Sequence, residues 1–132
     1  MFCRIAARQL PASVVYEDEH VIGFMDIGQV NPGHVLVVLK EHAEDLFALA
    51  DEQAAVVFQA TARVARAIRA AFGPDGVSIY QANGAAAAQT VFHFHVHVVP
   101  RWSGDGVTFA WPVQNPPREK LDEYAALIRA KM

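Results

Sequence analysis

Residues 93–99 read His-Phe-His-Val-His-Val-Val, so three of the chain's six histidines occupy alternate positions of one short segment. On a strand, side chains at i, i+2 and i+4 share a face. His93, His95 and His97 are therefore expected on one side, with Phe94, Val96 and Val98 buried on the other. A single strand histidine is ordinary; three on one face point to a site, because clustered titratable groups mark functional positions. Neutral imidazole is a nucleophile and a general base near pH 7. At phosphorus it can displace a leaving group, become a phosphohistidine and be freed by water, which splits one hard step into two easier ones. That chemistry needs an acceptor on the nucleophile's other ring nitrogen. A second imidazole beside it can donate to a phosphate or to the leaving atom.

His-x-His is also a metal-ligand spacing, and metal binding is the rival reading. With a rise of about 3.3 Å per residue, the His93 and His97 Cα atoms stand about 13 Å apart on an extended strand. One zinc, about 2.0 Å from each nitrogen, could not readily hold all three. Two of them with a remote ligand could, although no cysteine pair or His-Glu motif supplies one. The loop before the triad favours phosphate. Asn83-Gly84 permits an unusual backbone conformation, Gln89 and Thr90 offer an amide and a hydroxyl, and loop N–H groups can form an anion-binding concavity.

The elements that must position these residues follow from periodicity. Ser13–Tyr16 and His20–Asp26 read as a hairpin around Glu17-Asp18-Glu19. Asn31-Pro32-Gly33 is a turn, and His34–Leu39 a buried β-branched strand. Val57, Ala60, Val64, Ile68 and Phe72 recur at helical spacing, which predicts a helix over 51–72 with Asp51 as N-cap and Gly73-Pro74 as stop. A strand at 77–81, the small-residue loop 83–89 and the triad strand from about Thr90 to Val99 come next. Asn115-Pro116 reads as the start of a final helix bearing Leu121, Tyr124 and Ile128. This order predicts an α+β fold: an antiparallel sheet of about five strands with one long and one C-terminal helix.

The 132 residues are expected to form a single domain. A net charge of −3 gives no general nucleic-acid signal. No run reaches the roughly 18 apolar residues of a membrane span. Cys3 is the only cysteine, which fits a reducing compartment, and a cytoplasmic location is the expectation. Cys3 itself reads as a small apolar residue. His20 and His34 read as surface or structural residues outside the site.

Together these segments resemble the histidine triad (HIT) family of nucleotide hydrolases and transferases, whose pattern His-φ-His-φ-His-φ-φ is met in full by 93–99. Phe2–Ile5, Leu10–Ser13 and Tyr16–Asp18 resemble its N-terminal segment. Phe24–Ile27 and Asn31–His34 resemble its nucleoside-binding stretch, Lys40-Glu41-His42 its Lys-x-His element, and Asn83 with Gln89–Val91 its approach to the triad. The resemblance implies small bacterial relatives related to the histidine triad nucleotide-binding proteins. It makes His95 the nucleophile, its tautomer held by the His93 carbonyl, with His97 and Thr90 at the phosphate or leaving group. Gln89 and Asn83 would bind phosphate or ribose, Asp26 the ribose hydroxyls, Phe24 and Ile27 the base, with Val91 beside them. His42 would support the triad from a neighbouring strand. A homodimer, a purine nucleotide substrate and no cofactor are further implications.

Two departures accompany the resemblance. Some relatives bind zinc through Cys-x-x-Cys near the N-terminus, whereas Cys3 is followed three positions later by Ala6; no structural zinc is expected. Where many relatives carry glycine, the loop before Gln89 is Ala85–Ala88, and alanine resists positive φ. The expected activity is hydrolysis at the α-phosphorus of a purine nucleotide derivative, as a phosphoramidase. The alternatives are a diadenosine polyphosphate hydrolase and a nucleotide-binding regulatory protein with little turnover.

Overall fold

Alternation on three central strands decides the architecture, described by a computed structural model covering Met1–Met132. The strands are β1 (Val14–Glu17), β2 (Val21–Met25), β3 (Val35–Leu39), β4 (Gly76–Tyr80) and β5 (His95–Arg101). They form one sheet in the order β1-β2-β3-β5-β4, every neighbouring pair antiparallel. The chain is therefore α+β, as its periodicity indicates.

Odd and even positions face different layers. Val21, Val35, Val37, Leu39, Val96 and Val98 turn to one face. There α2 (Asp51–Phe72) covers them with Val57, Ala60, Val64 and Ile68. Each such buried Val, Leu or Ile side chain contributes roughly 1.5–3 kcal/mol. Ile22, Phe24, Leu36 and Val38 turn to the opposite face and meet Phe2 and Ile5 of a short helix, α1 (Phe2–Ala6). The two layers give the sheet two cores, and the histidine face belongs to the smaller one.

The strands β1 to β4 shift by a residue from the expected bounds, and three other boundaries differ for reasons the structure shows. The triad strand begins at His95 rather than near Thr90, because residues 91–93 bend and Phe94 N–H leaves the ladder to donate to Ala43 O at 2.7 Å. Helix α2 has Ala50, not Asp51, at its N-cap; Gln53 Oε1 accepts the Ala50 N–H at 2.9 Å, a capping-box half without a capping hydroxyl. The last helix, α3 (Arg118–Arg129), starts after Pro117, since Asn115 is followed by two prolines, and none of its residues is buried. Gly73 ends α2 in the left-handed region (φ 58°, ψ 43°). Gly33 in the turn before β3 has φ 102°, and a Cβ there would lie 3.0 Å from Phe72 Cε2. No helix is long and apolar enough to cross a membrane.

Candidate active site

The ends of β2, β3 and β5 converge under α1. His95 and His97, two residues apart on β5, face the same way with ring centroids 5.0 Å apart. His95 Nδ1–H donates to the His93 carbonyl at 2.7 Å. That bond fixes the proton on Nδ1 and leaves Nε2 as a free lone pair, the arrangement a nucleophile needs. Phe2 packs edge-on against the His95 ring at 5.1 Å.

His97 is held by a residue the sequence reading left outside the site. His34, just ahead of β3, is 2% exposed, and its Nε2 lies 2.9 Å from His97 Nδ1. His34 Nδ1 accepts the Val30 N–H at 3.3 Å. Nε2 of His34 therefore carries its hydrogen and donates to His97 Nδ1, so His97 presents Nε2–H outward. The two neighbouring imidazoles of β5 thus sit in opposite tautomers, one offering a lone pair and the other a hydrogen. Burial, then the neighbouring His95 and His34 rings, push the His97 pKa down to about 4, so its ring is neutral at pH 7. Burial also lowers His34, partly opposed by Asp26 Oδ2 at 3.5 Å from Nε2. Spacing could not reveal His34, because it meets His97 only through the β3–β5 register, in which Leu36 pairs with His97.

An open cleft of about 530 Å3 lies over β2 beside α1, lined by Phe2, Ile5, Leu10, Phe24, Asp26 and Ile27, among others; Phe2, which packs on the His95 ring, is shared between the two. Phe24 is buried, whereas Ile27 is fully exposed at the cleft rim and is no core residue. Asp26 Oδ1 accepts Gly28 N–H at 2.8 Å, so it caps its turn while Oδ2 faces His34. A smaller apolar groove of about 200 Å3, between α2 and the sheet near Val15, Met25 and Phe72, lies on the face without histidines.

The loop residues sort differently from expectation. Gln89 is buried and its amide is fully engaged: Oε1 accepts Gly84 N–H at 2.7 Å, and Nε2 donates to Glu44 O and Val91 O. Asn83 exchanges hydrogen bonds with Gln81 and accepts Leu46 N–H at 2.7 Å. Both amides brace the loop. Val91 packs against the small core, and Thr90 is exposed. Ala88 adopts φ 70°, ψ 26°, so an alanine takes the left-handed conformation that favours glycine.

His93 departs from its triad partners. Its Nε2–H donates to Leu39 O at 2.8 Å, which turns the Nδ1 lone pair toward Cys3 Sγ and His42 Nδ1, each 3.2 Å away. Cys3 Sγ and His42 Nδ1 are 3.4 Å apart. Burial lowers the His93 pKa, keeping it neutral. Tetrahedral zinc with ordinary Zn–N and Zn–S bonds would separate its ligands by about 3.3–3.6 Å, so these three donors fit one ion with slight expansion. The Leu39 carbonyl supplies the outer hydrogen bond that metal-bound histidines make. Cys3 is thus part of a polar cluster rather than an apolar filler, and His42 lies in the loop after β3, outside the cleft over β2. The donors come from three distant segments, which is why motif spacing did not show them. One ion could not hold the triad, since His97 belongs to a separate group with His34 and Asp26.

The fold agrees with the comparisons. The HIT domain family matches residues 7–104. Protein hit of Bacillus subtilis (strain 168) is 46% identical over 112 residues, 84% of this chain and 77% of that protein. Adenosine 5'-monophosphoramidase hnt1 of Schizosaccharomyces pombe is 34% identical over 133 residues, 100% of this chain and 97% of that protein. The crystal structure of a HIT family protein from Bacillus anthracis superimposes with a TM-score of 0.96 at 41% identity, covering 100% of this chain and 96% of that one. The chain belongs to the HIT family.

Proposed function

We propose that the chain hydrolyses nucleoside phosphoramidates, with His95 as nucleophile at the α-phosphorus. The observation that carries this reading is the pair of opposed tautomers on β5: His95 Nε2 free, His97 Nε2–H outward. The base lies in the cleft between α1 and Phe24, and Asp26 at its rim is placed to accept from ribose hydroxyls. In the first step His95 Nε2 bonds to phosphorus and the P–N bond breaks, the amine leaving from its N-protonated form. The positive charge that develops on His95 is held through Nδ1–H by the His93 carbonyl. His97 Nε2–H donates to a phosphoryl oxygen, a fixed hydrogen bond of the kind that stabilises developing charge. In the second step water forms the new P–O bond, the P–Nε2 bond breaks, and the water proton passes to the released amine through solvent. The products are a nucleoside monophosphate and an amine.

The adenosine monophosphoramidase relative supports this substrate class. Cys3, His42 and His93 would hold a zinc ion when one binds, and its contribution would be to fix α1 and the His93 backbone beside the nucleophile. The test is turnover of an adenosine 5'-phosphoramidate. His95→Ala is expected to lose at least about 10³-fold in kcat, because the covalent route disappears. Wild-type adduct trapped by acid quench should map to His95. Equal rates for wild type and His95→Ala, or an adduct on another residue, overturn the assignment.

A further inference from the structure

Across His97 from the nucleoside cleft lies an aromatic surface that the reaction above does not use. The β4–β5 register sets Tyr80 opposite His97, so both side chains share a face, with ring centroids 5.6 Å apart. Tyr80 Oη donates to the Ala87 carbonyl at 3.3 Å, within the turn that leads to Gln89. Phe109 stacks on Tyr80 at 6.0 Å with an interplanar angle of 25°. Its ring is 49% exposed and belongs to neither core.

That exposed ring is held in place by a constructed turn. After β5 the chain reverses through Gly104 and Gly106, both at φ 77°. Asp105 ties the reversal, accepting from Arg101 and Asn31 side chains and from Trp102 and Val107 N–H groups. Arg101 also donates to Val107 O at 2.7 Å, and its guanidinium lies 5.4 Å from the Phe109 ring centre. Four of its five N–H groups are donated to Asp105, Ser78 and Val107, and its charge is paired with Asp105, so the surface offers a ring face rather than a free cation.

The sheet order gives this surface its meaning. The cleft lies over β2 and β3, His95 and His97 stand on β5, and Tyr80 stands on β4. A substrate with its nucleoside in the cleft and its phosphorus at His95 extends its remaining substituent toward β4. We propose that Tyr80 and Phe109 are specificity-determining residues, a ledge that takes a planar aromatic ring on the amine displaced from phosphorus. This rests on the phosphoramidase reading of the same site. A neutral ring suits the ledge better than an anionic polyphosphate, because no unpaired cation faces it.

The test compares two adenosine 5'-phosphoramidates, one of benzylamine and one of an alkylamine of matched basicity, with the full-length protein. One stacked pair corresponds to a preference in kcat/KM of about three- to tenfold for the aromatic amide. Phe109→Ala and Tyr80→Leu should each bring the ratio near one, and Phe109→Tyr should restore it. Should Phe109→Ala fold poorly, Phe109→Leu keeps apolar bulk without a ring and should also lose the preference. A wild-type ratio near one, or a ratio that survives both ring deletions, overturns the ledge and leaves the hydrolase reading standing. No turnover of either amide by wild type removes both.

Discussion

Each triad histidine is defined by what holds its far nitrogen: a carbonyl for His95, an imidazole for His97, a carbonyl again for His93. On the proposed reading, His34 is a positioning residue, through its 2.9 Å contact with His97 Nδ1. His34→Ala frees the His97 ring, and loss of one oriented donor is expected to lower kcat by about 10²-fold with KM little changed. Steady-state kinetics on the phosphoramidate check this, and an unchanged kcat rejects the role. The Cys3–His42–His93 cluster gives a second expectation. Metal-free protein should take up one equivalent of zinc, and at free zinc a hundredfold above its Kd the chain should gain about 2.7 kcal/mol of stability. Cys3→Ser should abolish most of that gain in calorimetric melts; an equal gain in the variant places the metal elsewhere. Of these residues the triad was legible from spacing alone. His42 came only through the Lys40-Glu41-His42 resemblance, and His34 and Cys3 not at all, because their partners lie 63 and 90 positions away.

At the scale of elements, α2 was legible to its last residue because one long stripe ends in Gly73-Pro74. Helix α1 was not: five residues carry no periodic signal, and packing of Phe2 and Ile5 on Ile22, Phe24 and Leu36 holds them instead. The triad strand is shorter than its alternation predicts for a similar tertiary reason, the Phe94 bond to Ala43. The alanine loop keeps a glycine-like turn at Ala88, where a left-handed alanine costs about 1–2 kcal/mol. Ala88→Gly removes that strain but adds unfolded-state freedom worth roughly 0.5–1 kcal/mol. A net gain of about 0.5–1 kcal/mol is expected in denaturant unfolding, and a loss would show that the alanine methyl makes compensating contacts.

For the whole molecule, acid is the informative variable. His34, His93 and His97 all titrate below the ordinary value of 6.5, chiefly through burial, and His97 near 4. Between those limits the unfolded chain binds more protons than the folded one, so stability rises with pH across the window. It is expected to be fully present above about 6.5 and to fall progressively as pH drops toward 4. Unfolding free energies measured across that window should show this slope, and a His34→Gln, His97→Gln double variant should flatten it. A flat wild-type profile would mean that these imidazoles are open to water.

The alternation on β5 also guards against misfolding. A slip of one residue between β3 and β5 would turn every side chain of the strand to the wrong layer. His95 and His97 would then press into the aliphatic layer beneath α2, while Val96 and Val98 turned to the side of α1. Both changes are unfavourable, since polar rings would lose their partners and apolar ones their cover. The pattern that sets the two histidines on one face therefore also proofreads the pairing of the sheet, and a chain with the wrong register is penalised at the positions of that pair.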